Sequence, residues 1–223
     1  LTQLTLPESL KVIGKDAFGY CENLKYVVIP AGVELIGDYA FHNNTAIYSK
    51  ANFASGGWDN NIAARTVFGC IGIEQNEDFV YVKEINGIHI VGLAKNYMKQ
   101  EVNLTVEGYK TLSVATGLFK NNRLITSALV PEGVEEIGAY AFADCSNIRE
   151  LSLPSTLIRI GECAFRDCYN ANGTVYLTEN VKTIEAYAFT SCGNLNFLIS
   201  LSEKPEGWND YWHGSESNFN VYN

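Results

Sequence analysis

Along this chain, short runs of alternating apolar and polar residues recur, and each stops at a proline. "LTQLTLP" (1–7), "LKYVVIP" (24–30), "ITSALVP" (125–131) and "IRELSLP" (148–154) all have this form. Alternation with period two predicts a short strand, and proline ends it because it has no N–H to give to a ladder. A second phrase follows each run: "IGKDAFGYC" (13–21), "IGDYAFHNN" (36–44), "IGAYAFADC" (137–145) and "IGECAFRDC" (160–168). Phe18 to Phe41, Phe119 to Phe142 and Phe142 to Phe165 are each 23 residues apart, and Phe165 to Phe189 is 24. A fixed period of this size is the mark of a solenoid. The predicted unit is strand, proline turn, then a short helical or 3₁₀ turn carrying Ala-Phe. Such a unit cannot bury its apolar side alone, so the coils must stack. Phe18, Phe41, Phe119, Phe142, Phe165 and Phe189 are then expected to form one buried spine, interrupted at most by an insert.

Two other phrases divide the chain. "IYSKANFASGGWDNNIAARTVFG" (47–69) and "LISLSEKPEGWNDYWHGSESNFNVYN" (198–223) share a strand, a Lys, a Gly-Trp and a final Val-aromatic pair. They predict terminators that lie over the open end of a repeat block, as every solenoid needs. Between them, "DFVYVKEINGIHIVGLA" (78–94) has two alternating runs around Asn86-Gly87, a strong hairpin signal. The expected organisation is a first repeat block over 1–72, a β-hairpin insert over 73–108 joined to the repeat sheet at its edge, and a second block over 109–223. The fold class is α/β, a solenoid of coils of about 23 residues.

Composition narrows the function. An apolar share of 47% is ample for a core, and a net charge of -9 with 16 basic residues makes nucleic acid and anionic membrane poor partners. No run approaches the length of a membrane span. Cys21, Cys145, Cys168 and Cys192 fall three residues after the repeat Phe, in a column where Asn44 and Asn122 substitute. Stacked coils send such side chains inward in parallel, so they are expected as free, buried thiols that can donate to a loop carbonyl.

The unit "NIRELSLPSTLIRIGECAFRDC" resembles the BspA-like (Treponema-type) leucine-rich repeat, whose hallmarks are Leu-Pro, Ile-Gly and Ala-Phe at this period. The likeness covers roughly 1–46 and 110–200, with Glu185 in place of the repeat Gly and one extra residue in 170–174. The resemblance implies a secreted or surface-displayed bacterial protein that adheres to host matrix proteins or to other bacteria. It carries no ligand motif that could be transferred. Because the chain opens in mid-repeat, a signal or anchor upstream is expected to be trimmed.

No chemistry of another kind stands out. His42, His89 and His213 are scattered, "GWDNN" and "DYWHGSES" lack a calcium-loop pattern, and no nucleophile elbow or phosphate loop is present. No catalytic residue, metal or cofactor is therefore expected. A protein ligand is the expected partner, bound on the solvent side of the repeat strands. Read in register, that side carries Tyr26, Val28, Leu129, Tyr176, Phe197 and Ile199. Two alternatives are a carbohydrate-binding or enzyme-accessory module using Trp58, Trp208 and Trp212, and an architectural spacer within a longer surface protein.

Overall fold

The computed structural model describes residues 1–199, 201, 203–213 and 221–222. Each repeat contributes two strands rather than one. In the N-terminal stack, β1 (Val12–Ile13), β3 (Leu35–Ile36) and β5 (Gly57–Trp58) form one parallel sheet, and β2 (Tyr26–Ile29), β4 (Ala46–Ser49) and β6 (Thr66–Phe68) form the other. In the C-terminal stack, β10 (Glu101–Asn103), β12 (Ser127–Leu129), β14 (Glu150–Ser152), β16 (Asn172–Leu177), β18 (Asn194–Ile199) and β19 (Val221–Tyr222) run in parallel. Its second sheet contains β11 (Thr111–Val114), β13 (Glu136–Ile137), β15 (Arg159–Ile160) and β17 (Thr183–Ile184). The insert strands β7 (Gly72–Gln75), β8 (Phe79–Glu84) and β9 (Gly87–Leu93) extend that second sheet. β7, β8 and β9 are antiparallel neighbours, and β9 pairs in parallel with β11.

The Ala-Phe phrase is turn rather than helix; the short α1 (Asn60–Ala64) follows the first Gly-Trp instead. The reason is a left-handed residue two before each repeat Phe: Asp16, Tyr39, Gly117, Tyr140, Cys163 and Tyr187 all have φ between 52° and 61°. In the C-terminal stack a second one follows, at Asn121, Asp144, Asp167 and Ser191. No α-helix continues through such a residue. The alternation turns successive N–H groups toward the next coil, so Tyr140, Phe142 and Asp144 donate to the carbonyls of Glu162, Ala164 and Arg166. Coils are thus hydrogen-bonded on three sides, and this ladder offsets the cost of the left-handed residues.

The phenylalanines form two stacks, not one. Phe119, Phe142, Phe165 and Phe189 lie ring on ring at 4.9, 5.2 and 5.1 Å, while Phe18 and Phe41 stack separately at 5.5 Å. They belong to two distinct cores. Phe79 and Tyr97 from the insert cover the open end of the longer stack. A third core separates the two. Tyr48, Val67 and Val28 on the outer face of β2, β4 and β6 pack against Val80, Val82, Val91 and Ala115 of the insert-bearing sheet. The repeat stacks therefore lie sheet against sheet, which is why β8 and β9 carry apolar residues on both faces.

All six cysteines are free. Cys145, Cys168 and Cys192 donate Sγ–H to the carbonyls of Phe119, Phe142 and Phe165 in the preceding coil, at 3.0, 3.2 and 3.0 Å. Burial pushes the Cys145 thiol up to about 12.

Candidate functional site

The outward side of the repeat strands divides into a covered half and an open half. Tyr26 and Val28 project from β2 into the third core and are half-buried there by the second stack. On β12 and β16, Leu129 and Tyr176 face solvent, 45% and 62% exposed. Phe197 does not. β18 pairs Phe197 with Val175 and Leu198 with Tyr176, one residue away from the register read from the repeat. Phe197 therefore points inward, 0% exposed, with its ring 5.0 Å from both Phe189 and Trp212. Ile199, opposite Leu177, packs against the core as well. A one-residue shift sends every side chain of a strand to the other face; here Phe197 follows the buried Leu195 by two positions, where Leu151 follows Ile148 by three in the regular repeat. The open face is mainly polar: Glu101, Asn103, Glu150, Ser152, Asn172 and Asn194 surround Leu129 and Tyr176.

The tryptophans are not surface platforms. Trp58 and Trp208 are buried, and their Nε1–H groups donate to the carbonyls of Val33 and Val181 at 3.0 and 2.9 Å. Trp212 is buried too. The two Gly-Trp segments are used in the same way, each closing over the last coil before it. Arg65, just after α1, completes the first closure by donating to the carbonyls of Phe41, His42, Asn43 and Thr45. Those carbonyls belong to a terminal coil with no further coil beside it, a need that the sequence pattern does not reveal. The loop read at 210–217 lies partly outside the described residues.

One polar cluster arises only from the fold. His89 on β9 reaches Ser113 on β11, Nδ1 to Oγ 2.7 Å, and its ring lies 5.2 Å from that of Tyr48 across the junction. Glu84 Oε2 is 3.7 Å from His89 Nε2, which has no hydrogen bond. The expectation of three scattered histidines fails for this one: residues 24 apart become neighbours because β9 and β11 pair in parallel. The pair lines a cleft of about 240 Å³ whose wall also contains Glu136 and Arg159. Burial holds the His89 pKa below its usual value, against the pull of Glu84. A serine beside a neutral imidazole has the first two parts of a nucleophilic relay. The orienting hydrogen bond to the other ring nitrogen is not made, and Tyr48 lies over the ring. Among the described residues no group of three His, Cys, Asp or Glu side chains is placed to hold a metal ion. No helix among them is long and apolar enough to cross a membrane.

Comparison with known proteins agrees with this architecture. A sequence profile of the BspA type leucine rich repeat region matches in six copies, over residues 1–71 and 112–211. Among solved structures, a leucine rich cell surface protein from Faecalibacterium prausnitzii A2-165 aligns with 98% of this chain and 59% of its own, at 20% identity and a TM-score of 0.54. A leucine-rich repeat protein from Bacteroides ovatus ATCC 8483 aligns over 61% of this chain and 42% of its own, at 23% identity and a TM-score of 0.42. The pneumococcal vaccine antigen PcpA aligns over 95% of this chain and 54% of its own, at 15% identity and a TM-score of 0.49. The chain thus spans between 42% and 59% of the length of these structures. No curated protein matches it.

Proposed function

The chain belongs to the BspA-type leucine-rich-repeat family, and from that premise we propose that it is a non-catalytic binding protein, secreted or displayed on a bacterial surface. Its partner is a protein, either of host matrix or of another bacterial surface. The observation that carries this reading is the asymmetry of the two outer sheet faces. The N-terminal face is spent on packing the two stacks together, whereas the C-terminal face is left to solvent with Tyr176 and Leu129 on it. An exposed aromatic within a polar surround is the usual composition of a protein-binding anchor and its rim. Display outside the cell is supported by the family and by the description of the Faecalibacterium relative as a cell surface protein. Burial of all three tryptophans argues against carbohydrate stacking on them, and the incomplete relay at His89 and Ser113 argues against hydrolysis.

The test is a binding assay of the wild type and a Leu129→Ala, Tyr176→Ala double variant on immobilised matrix proteins and on whole bacteria. Both side chains are exposed, so the variant keeps its melting temperature. Wild-type binding that falls at least about tenfold in the variant supports the face as the site. Undiminished binding by the variant moves the site elsewhere, and no binding by the wild type overturns the adhesive reading.

A further inference from the structure

Of the six left-handed positions that precede a repeat Phe, one is glycine. Asp16, Tyr39, Tyr140, Cys163 and Tyr187 adopt the same conformation with a side chain, so the backbone does not demand glycine at Gly117. Space does. A Cβ built on Gly117 would lie 2.8 Å from Nζ of Lys25, which reaches over from the N-terminal stack. The ammonium enters a cleft of about 570 Å³ between the stacks, walled by Asn23, Asn44, Asn121 and Tyr140 and by a second lysine, Lys120. Lys120 Nζ lies 4.7 Å from the Tyr140 ring centroid, and Arg166 Cζ lies 5.7 Å from it on the same wall.

Two lysines without a carboxylate partner line this one cleft. The chain has 25 acidic and 16 basic residues, and Lys11, Lys50, Lys83, Lys99, Lys110 and Lys204 all pair with carboxylates. Arg166 is engaged by Asp144 and Asp167. Lys25 and Lys120 have no ion pair among the described residues, and Glu22 is the one carboxylate on the lining. Burial, and then repulsion from Lys120, lower the pKa of Lys25. Lys25 is half-buried and Lys120 exposed, and two like charges that face each other across a junction cost stability. A shared counter-charge between them removes that cost.

We propose that this cleft binds a tetrahedral oxyanion, the sulfate or phosphate ester of an anionic polysaccharide. The ester bridges Lys25 and Lys120, and the Asn23, Asn44 and Asn121 amides donate to neighbouring oxygens. The cleft is larger than one oxyanion, and amides of this kind suit sugar hydroxyls. None of these residues lies on the face of Tyr176, so this site stands or falls separately from the protein-binding one.

Calorimetric titration of the intact chain at low salt tests the proposal with three probes. These are a sulfated oligosaccharide, its unsulfated parent, and a polyphosphate of matched charge. The expected result is binding to a charged probe and none to the parent; the tighter of the two charged probes identifies the ester. Lys25→Gln and Lys120→Gln each weaken that binding about tenfold, as loss of one charge-assisted hydrogen bond does. Lys11→Gln, which removes a lysine outside the cleft, leaves it unchanged. Gly117→Ala weakens it with no change of charge, because its methyl displaces Lys25. Absence of binding to both charged probes overturns the site. So does affinity that survives both cleft variants, or that Lys11→Gln reduces equally.

Discussion

Gly37, Gly138 and Gly161 each follow the repeat isoleucine, and a Cβ built on them would meet a backbone nitrogen of the preceding coil at 2.5, 2.5 and 2.4 Å. Gly14 occupies the same place in the first coil described and has nothing within 4 Å of such a Cβ. The Ile-Gly phrase is therefore a condition of stacking and not of a turn. Gly138→Ala is expected to destabilise the protein by about 1–3 kcal/mol, because backbone is the atom that must move. Gly14→Ala should be neutral, or stabilising by up to about 1 kcal/mol through the unfolded chain. Denaturant midpoints of the two variants check this, and equal losses would contradict it. At Glu185 the glycine is absent from the repeat. Its carboxylate accepts from the Glu162 backbone N–H at 2.9 Å and pairs with Arg159.

At the scale of the element, the coil is held by the Phe stack inside and by the left-handed ladder at its edge. Phe142 is wholly buried between Phe119 and Phe165. Phe142→Ala should cost about 3–5 kcal/mol, the range for a core aromatic. Phe18→Ala should cost less, since the first coil leaves that ring half-buried. Chemical denaturation of both variants measures the difference. A loss below about 1 kcal/mol at Phe142 would be incompatible with a stacked core.

The whole molecule depends on the junction of the two sheets, where His89 is 8% exposed. Facing it are Tyr48 from β4, Glu84 from β8, Ser113 from β11, and Glu136 and Arg159 from the flanking strands. Burial is the largest influence and lowers its pKa below 6.5, while Glu84, Glu136 and Glu135 act in the opposite direction. The unfolded chain then takes up the proton at a higher pH than the folded chain. The contribution of neutral His89 is complete above about 6.5 and is lost as pH falls from there through the folded value. Stability measured by denaturant between pH 7.5 and 5 should decline, and His89→Gln should flatten the decline. An equal slope in the variant would place the titration elsewhere.

Much of this protein was legible in the order of its residues. The recurrence of Ile-Gly and Ala-Phe at a period of 23 determines the coil, its stacking and the inward columns, because one unit cannot bury its own apolar side. The same columns account for the free thiols at Cys145, Cys168 and Cys192. What the period does not contain was decided by tertiary structure. The left-handed residues before Phe are Asp, Tyr, Gly or Cys, types with no shared preference, so the turn that replaces the helical one comes from the inter-coil ladder. The step from Leu195 to Phe197, one residue shorter than in the regular repeat, moves the register of β18 and buries Phe197, because side chains alternate and one step reverses the face. The packing of one stack on the other hides Tyr26 and Val28 and brings His89 to Ser113 and Lys25 to Gly117. These contacts join parts of the chain with no common repeat position, and complementarity between two finished surfaces selects them.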